Sequence, residues 1–119
     1  MIKGIGTDII EIERIAKAIE RHGEEFINRL FTRNEQLPAS ARNPAYFAGR
    51  FAAKEAVVKA LGTGFRGISW LDIEVLNDSL GKPYINLSPA IAKRFDNPEL
   101  LITISHSKES AVAFCLWQA

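Results

Sequence analysis

From Ile2 to Ile10 apolar residues alternate with glycine and polar ones, the period of a strand, and Gly4 and Gly6 leave one face bare. Asp8 stands near the end of that strand. Ile12, Ile15, Ala16 and Ile19 then recur at helical spacing, and His22-Gly23 closes the helix they predict. Residues 24–31 predict a short second helix. Thr32, followed three residues later by Glu35, is a capping box that opens a further turn, and residues 38–43 read as a polar linker. A long helix is expected next, with Pro44 in its first turn and Gly62 just past its end. After a glycine-rich turn, residues 71–76 alternate as a strand, 77–83 carry turn chemistry, and 84–87 return as the second arm of a hairpin. Ser88-Pro89 opens a helix to about Phe95. Two apolar strands, 100–105 and 111–117, join through residues 106–110. This order gives an α+β class, with helices packed on a mostly antiparallel sheet.

The long helix organises the chain. At about 100° per residue, Phe47, Phe51, Val58 and Leu61 share one arc, while Gly49, Ala53, Ala56 and Ala60 line the opposite side. A helix apolar on one side and tiny on the other is packed on both. Yet it carries Arg50 and Lys54 on one flank and Glu55 and Lys59 on the other. Charges so enclosed are costly unless paired or bound. Glu55 and Lys59 could be an ordinary i,i+4 pair, contributing roughly 0.2–0.5 kcal/mol. They could also be tools of a site.

Composition narrows the class. The 119 residues suit one domain, residues 1–119, and 47% hydrophobic with 24% charged residues describes a soluble globular chain. A net charge of +1 offers no bulk attraction to nucleic acid or membrane. The single cysteine, Cys115, excludes an internal disulfide and a multi-cysteine metal site, and its apolar setting predicts a buried thiol. With no secretory signal and no long apolar run, the expected location is cytoplasmic.

Two carboxylates stand out, Asp8 on the first strand and Glu55 on the long helix. Magnesium is commonly held by one or two carboxylates with water and substrate phosphate oxygens, and Lys59 lies one turn beyond Glu55 to neutralise a phosphate. Gly62, Gly64 and Gly67 could present backbone N–H groups to an anion, and His106, Ser107 and Lys108 share a loop. These pieces suit transfer of a phosphoryl-type group. Asp8 as a helix cap and His106 as a plain turn residue remain open readings. Arg14, Lys17 and Arg21 share a helix face, either solvated or a docking surface for an acidic partner.

Gly4-Ile5-Gly6-Thr7-Asp8-Ile9, Phe51-Ala52-Ala53-Lys54-Glu55-Ala56 continuing through Lys59 to Gly64, Gly81-Lys82-Pro83, and Ile104-Ser105-His106-Ser107 together resemble the short group of the 4′-phosphopantetheinyl transferase superfamily, the bacterial holo-acyl-carrier-protein synthases. The resemblance implies that group's fold over the whole chain. It also implies transfer of 4′-phosphopantetheine from coenzyme A to a serine of apo-acyl carrier protein, serving fatty acid biosynthesis. Asp8 and Glu55 match magnesium ligands, and Lys59 matches the lysine beside the pyrophosphate; these three form the catalytic set. Arg50, Gly64, Lys82, Pro83 and His106 match positions lining the coenzyme A groove. Arg14 and Arg21 match the surface that docks the acidic carrier protein. Family members of this length are homotrimers with active sites between neighbours. A metal-bound water, Glu35 or Glu55 could take the serine proton. A magnesium-dependent pyrophosphate hydrolase and a non-catalytic coenzyme A-binding module are the competing readings.

Overall fold

The computed structural model describes residues 1–119 apart from the side chain of Ala39. In chain order its elements are β1 (Ile2–Glu11), α1 (Ile12–His22), α2 (Glu24–Leu30), α3 (Arg33–Gln36), α4 (Pro44–Leu61), β2 (Ile73–Asn77), β3 (Pro83–Leu87), α5 (Pro89–Arg94), β4 (Glu99–His106) and β5 (Ser110–Gln118). The strands form two antiparallel sheets, one ordered β1-β5-β4 and the other β2-β3.

Helix α4 starts and stops where its sequence dictates. The Asn43 side chain accepts the Ala45 N–H, Pro44 occupies the first turn, and Gly62 ends it in the left-handed region at φ 80°. Most of the helix is buried, including all of its small face. That face lies on β1 and β5, where the inward residues are also small: Gly4, Gly6, Ala111, Ala113 and Cys115. A Cβ on Gly4 would stand 2.0 Å from the Ala60 carbonyl oxygen, and one on Gly6 2.0 Å from that of Ala56. Only glycine permits so close an approach of strand to helix. Cys115 is fully buried, and desolvation pushes its thiol up to about 12, which leaves it inert at neutral pH.

Four local expectations differ from the structure. Strand β1 runs one residue beyond the expected Ile10, because Glu11 pairs with Ser110 of β5. Leu71 and Asp72 belong to a 3-10 turn, Trp70–Asp72, closed by a capping box between Ser69 and Asp72, so the strand begins at Ile73. The polar linker contains a 3-10 turn, Ala39–Arg42. Ser88 precedes Pro89 as expected, but its side chain makes no capping bond. No helix among the described residues is long and apolar enough to cross a membrane.

The strand–helix contact yields a direct test. In Gly6→Ala the new methyl meets the Ala56 carbonyl and the Lys59 Cβ, 2.9 Å away, so strand and helix must separate. Denaturant unfolding should show a loss of about 1–3 kcal/mol. An unchanged midpoint would mean that the approach is not tight.

Candidate active site

Asp8 lies on the face of β1 turned toward α4, and the two glycines before it bring the strand against the helix flank that carries Glu55 and Lys59. Lys59 Nζ donates to the Thr7 carbonyl at 2.9 Å and to Asp8 Oδ1 at 3.3 Å. The i,i+4 pair between Glu55 and Lys59 does not form; among the described residues no ion pair reaches Glu55. The lysine prefers Asp8 because a carbonyl and a carboxylate lie together within its reach. Nor does Asp8 cap α1. It sits inside β1 opposite Ala113, while Glu11 holds the N-cap position without a side-chain bond.

Burial raises the Glu55 carboxyl above its ordinary pKa, the Asp8 charge raises it further, and Lys59 offsets part of this. Two oxygen-donor carboxylates, the charge of Asp8 disfavouring that of Glu55, fit a hard divalent cation such as magnesium. Among the described residues no group of three or more His, Cys, Asp and Glu converges. An ion held by this pair would complete its shell from water and substrate oxygens.

The glycine turn behaves differently from its sequence expectation. The N–H groups of Gly62, Thr63 and Gly64 all return to the Val58 carbonyl, at 3.1, 3.2 and 3.3 Å. They close the helix and are not turned toward an anion. Gly64, at φ 60°, shapes the turn one helical turn past Lys59. Phe65 stacks on Trp70 and Trp70 on Phe51, with centroids 4.1 and 4.8 Å apart, pinning the turn to α4.

A second cluster lies across the helix. Arg50 is buried, hydrogen-bonds Asn77 through Nη2, and lies 4.1 Å from the Tyr46 ring centre, while its Nε has no protein partner. Asn77 in turn donates to the Gly81 carbonyl at 2.7 Å, linking Arg50 to the turn that bears Lys82 and Pro83. A groove of about 500 Å³ opens here, walled by Asn34 and Leu37, by Tyr46 and Arg50, and by Asn77 and Tyr84. His106 ends β4 instead of sitting in the loop. Its Nε2 lies 3.0 Å from the Ala45 carbonyl, so that nitrogen carries the hydrogen, and the ring rests on Gly49. Asn77, Tyr46 and Tyr84 were not anticipated: Asn77 read only as turn chemistry, and the tyrosines carry no spacing signal.

Lys54, which pattern left without a partner, is fully buried against Glu35 at 2.7 Å. Glu35 is therefore no general base, since it is inaccessible and its oxygens are taken by Lys54, Thr32 N–H and Val75 N–H. Arg14, Lys17 and Arg21 share the outer face of α1 with His22. Lys17 makes a loose pair with Glu13 at 3.9 Å, while among the described residues Arg14 and Arg21 have no salt bridge.

An aspartate inside β1 thus faces a helical Glu-x-x-x-Lys, and a groove holding Arg50 opens on the other flank of the helix. The chain belongs to the 4′-phosphopantetheinyl transferase superfamily, whose family model matches residues 4–115. Within that class its full-length similarity is to holo-acyl-carrier-protein synthases. The synthase of Protochlamydia amoebophila is 58% identical over 122 residues, covering 100% of both chains. The crystal structure of the Neisseria meningitidis synthase superposes with a TM-score of 0.90 at 35% identity, again over 100% of each chain. A Bacillus anthracis synthase solved in complex with CoA (3′,5′-ADP) gives 0.81 at 45% identity, over 98% of this chain and 96% of that one.

The raised Glu55 pKa has a measurable consequence. The folded state holds this proton more tightly than the unfolded chain, so its stability falls as pH rises from the ordinary glutamate value through the raised one. In chelated buffer Glu55→Gln should melt higher than the parent at neutral pH. The gap should close in acid. A gap independent of pH would rule out this electrostatic origin.

Proposed function

We propose that this chain transfers the 4′-phosphopantetheine of coenzyme A to a serine of apo-acyl carrier protein and releases adenosine 3′,5′-bisphosphate. The observation that carries the reading is the convergence of Asp8, Glu55 and Lys59 in a member of this superfamily. In the reaction the serine oxygen forms a bond to the β-phosphorus as the bond to the bridging oxygen breaks, so the leaving nucleotide carries that oxygen away. Asp8 and Glu55 would hold magnesium, which offsets charge on the pyrophosphate when bound. Lys59, already over Asp8, neutralises a phosphate oxygen by a short side-chain swing. With Glu35 buried, the serine proton is left to a metal-bound water or to Glu55 relaying through water. A Cβ on Gly64 would meet nothing within 4 Å, which leaves room for substrate at the turn after α4. Arg50, Lys82, Pro83 and His106 hold the remainder of coenzyme A.

The two clusters occupy opposite flanks of α4, which supports a site completed by a neighbouring copy. The outward face of the three-stranded sheet exposes Ile5, Ile9, Leu101, Val112 and Phe114, an apolar surface suited to such a contact. We take the assembly to be a homotrimer, the domain to be residues 1–119, and the setting to be cytoplasmic fatty acid biosynthesis, as the family resemblance implies. Arg14 and Arg21 would meet the acidic carrier protein.

Incubating apo-acyl carrier protein with the chain, coenzyme A and magnesium should add one phosphopantetheine mass. Release of adenosine 3′,5′-bisphosphate without carrier would instead indicate a hydrolase. Asp8→Asn and Glu55→Gln should each retain the fold and lose about 100-fold or more in kcat. Full activity in either would remove the metal assignment. Arg14→Glu with Arg21→Glu should raise KM for the carrier about tenfold, equivalent to ~1.4 kcal/mol, and leave coenzyme A binding intact. An equal loss of coenzyme A binding would refute the docking role.

A further inference from the structure

Lys54 and Glu35 are both inaccessible, unlike the members of every other ion pair among the described residues. Lys54 Nζ spends all three hydrogens, on the Leu30 carbonyl at 2.6 Å, Glu35 Oε1 at 2.7 Å and the Trp70 carbonyl at 3.0 Å. Glu35 Oε1 also accepts the Thr32 N–H at 2.9 Å, and Oε2 accepts the Val75 N–H at 2.8 Å. One pair thus joins the end of α2, the start of α3, the middle of α4, the turn before β2, and β2 itself.

Three of those elements, α3, α4 and β2, are also walls of the groove. Asn34 and Leu37 come from α3 and its exit, Tyr46 and Arg50 from α4, and Leu76 and Asn77 from β2. Tyr46 adds a second tie, its hydroxyl donating to the Glu35 carbonyl. Lys54 lies one helical turn past Arg50, so the knot holds α4 in the rotation that presents Arg50 to Asn77. A side chain aimed across a groove between three separate elements keeps its place only if the elements keep theirs.

We propose that Glu35 and Lys54 are positioning residues for the reaction. They set the width of the Arg50 groove, and through it the binding of coenzyme A, without touching substrate. The inference rests on the assignment of that groove to coenzyme A made above.

Glu35→Gln with Lys54→Met removes both charges at near-constant volume and leaves a buried amide to meet part of the backbone. Glu35→Asp keeps the charge but shortens its reach, so Lys54 and Val75 cannot both be met. In whichever variant folds, KM for coenzyme A should rise about tenfold or more while KM for the carrier stays within about twofold. Calorimetric titration with coenzyme A should show the same loss, and matched thermal melts separate it from unfolding. An unchanged KM for coenzyme A in a folded variant overturns the proposal, as does an equal rise in both KM values. Failure of both variants to fold assigns the pair to folding alone and also overturns it. A parent that neither binds coenzyme A nor turns over removes the proposed function, and this inference with it. An active parent with unchanged variants removes the inference alone.

Discussion

Strand β1 and helix α4 meet through their backbones. Strand β1 lies so near α4 that a single methyl group on Gly4 or Gly6 would overlap a helix carbonyl. Contact at that range requires small residues on both surfaces, and both have them: Gly49, Ala53, Ala56 and Ala60 on the helix, with Ala111, Ala113 and Cys115 beside the glycines on the sheet. Dispersion then acts over a broad buried surface. The same closeness places Asp8, two residues after Gly6, beside Glu55 and Lys59. The requirement for packing and the requirement for a site are met by one piece of geometry.

A helix enclosed in this way withdraws two of its charges, Arg50 and Lys54, from solvent, and each of the four finds a different answer. Lys59 reaches back to the strand. Among the described residues Glu55 has no ion-pair partner, and its setting favours a cation or a proton. Arg50 lies over Tyr46 and meets a neutral amide. Lys54 is withdrawn altogether against Glu35; burial lowers its pKa and the carboxylate returns only part of the loss. The first two face one flank and the last two the other. The charges that suit chemistry are thereby separated from the charges that shape a groove.

Much of this was legible beforehand because it depends on neighbours in sequence. The bounds of α4 follow from Asn43, Pro44 and Gly62, whose effects act within one turn. The Thr32–Glu35 capping box formed as its spacing predicts. Both hairpins follow from alternation and turn residues, and the inward burial of Ile73 and Val75 follows from period two. The candidate pair Asp8 and Glu55 was visible as residue type and motif, though helical geometry alone left Glu55 an ordinary partner for Lys59.

What pattern could not supply is everything that turns on residues distant along the chain. The pairing of β1 with β5 carries the first strand on to Glu11, because its ladder partner Ser110 is supplied by a distant strand. Lys59 chose Asp8, 51 positions away, over a glutamate one turn away, because a backbone carbonyl lay beside the aspartate. The glycine turn closed its own helix, and Glu35 met Lys54, because a buried donor or charge takes whichever partner the fold brings within reach. Sequence determined the elements, their faces and the residues able to do chemistry. Tertiary structure decided their partners, because partnership depends on distances of a few ångströms between segments that the chain itself holds far apart.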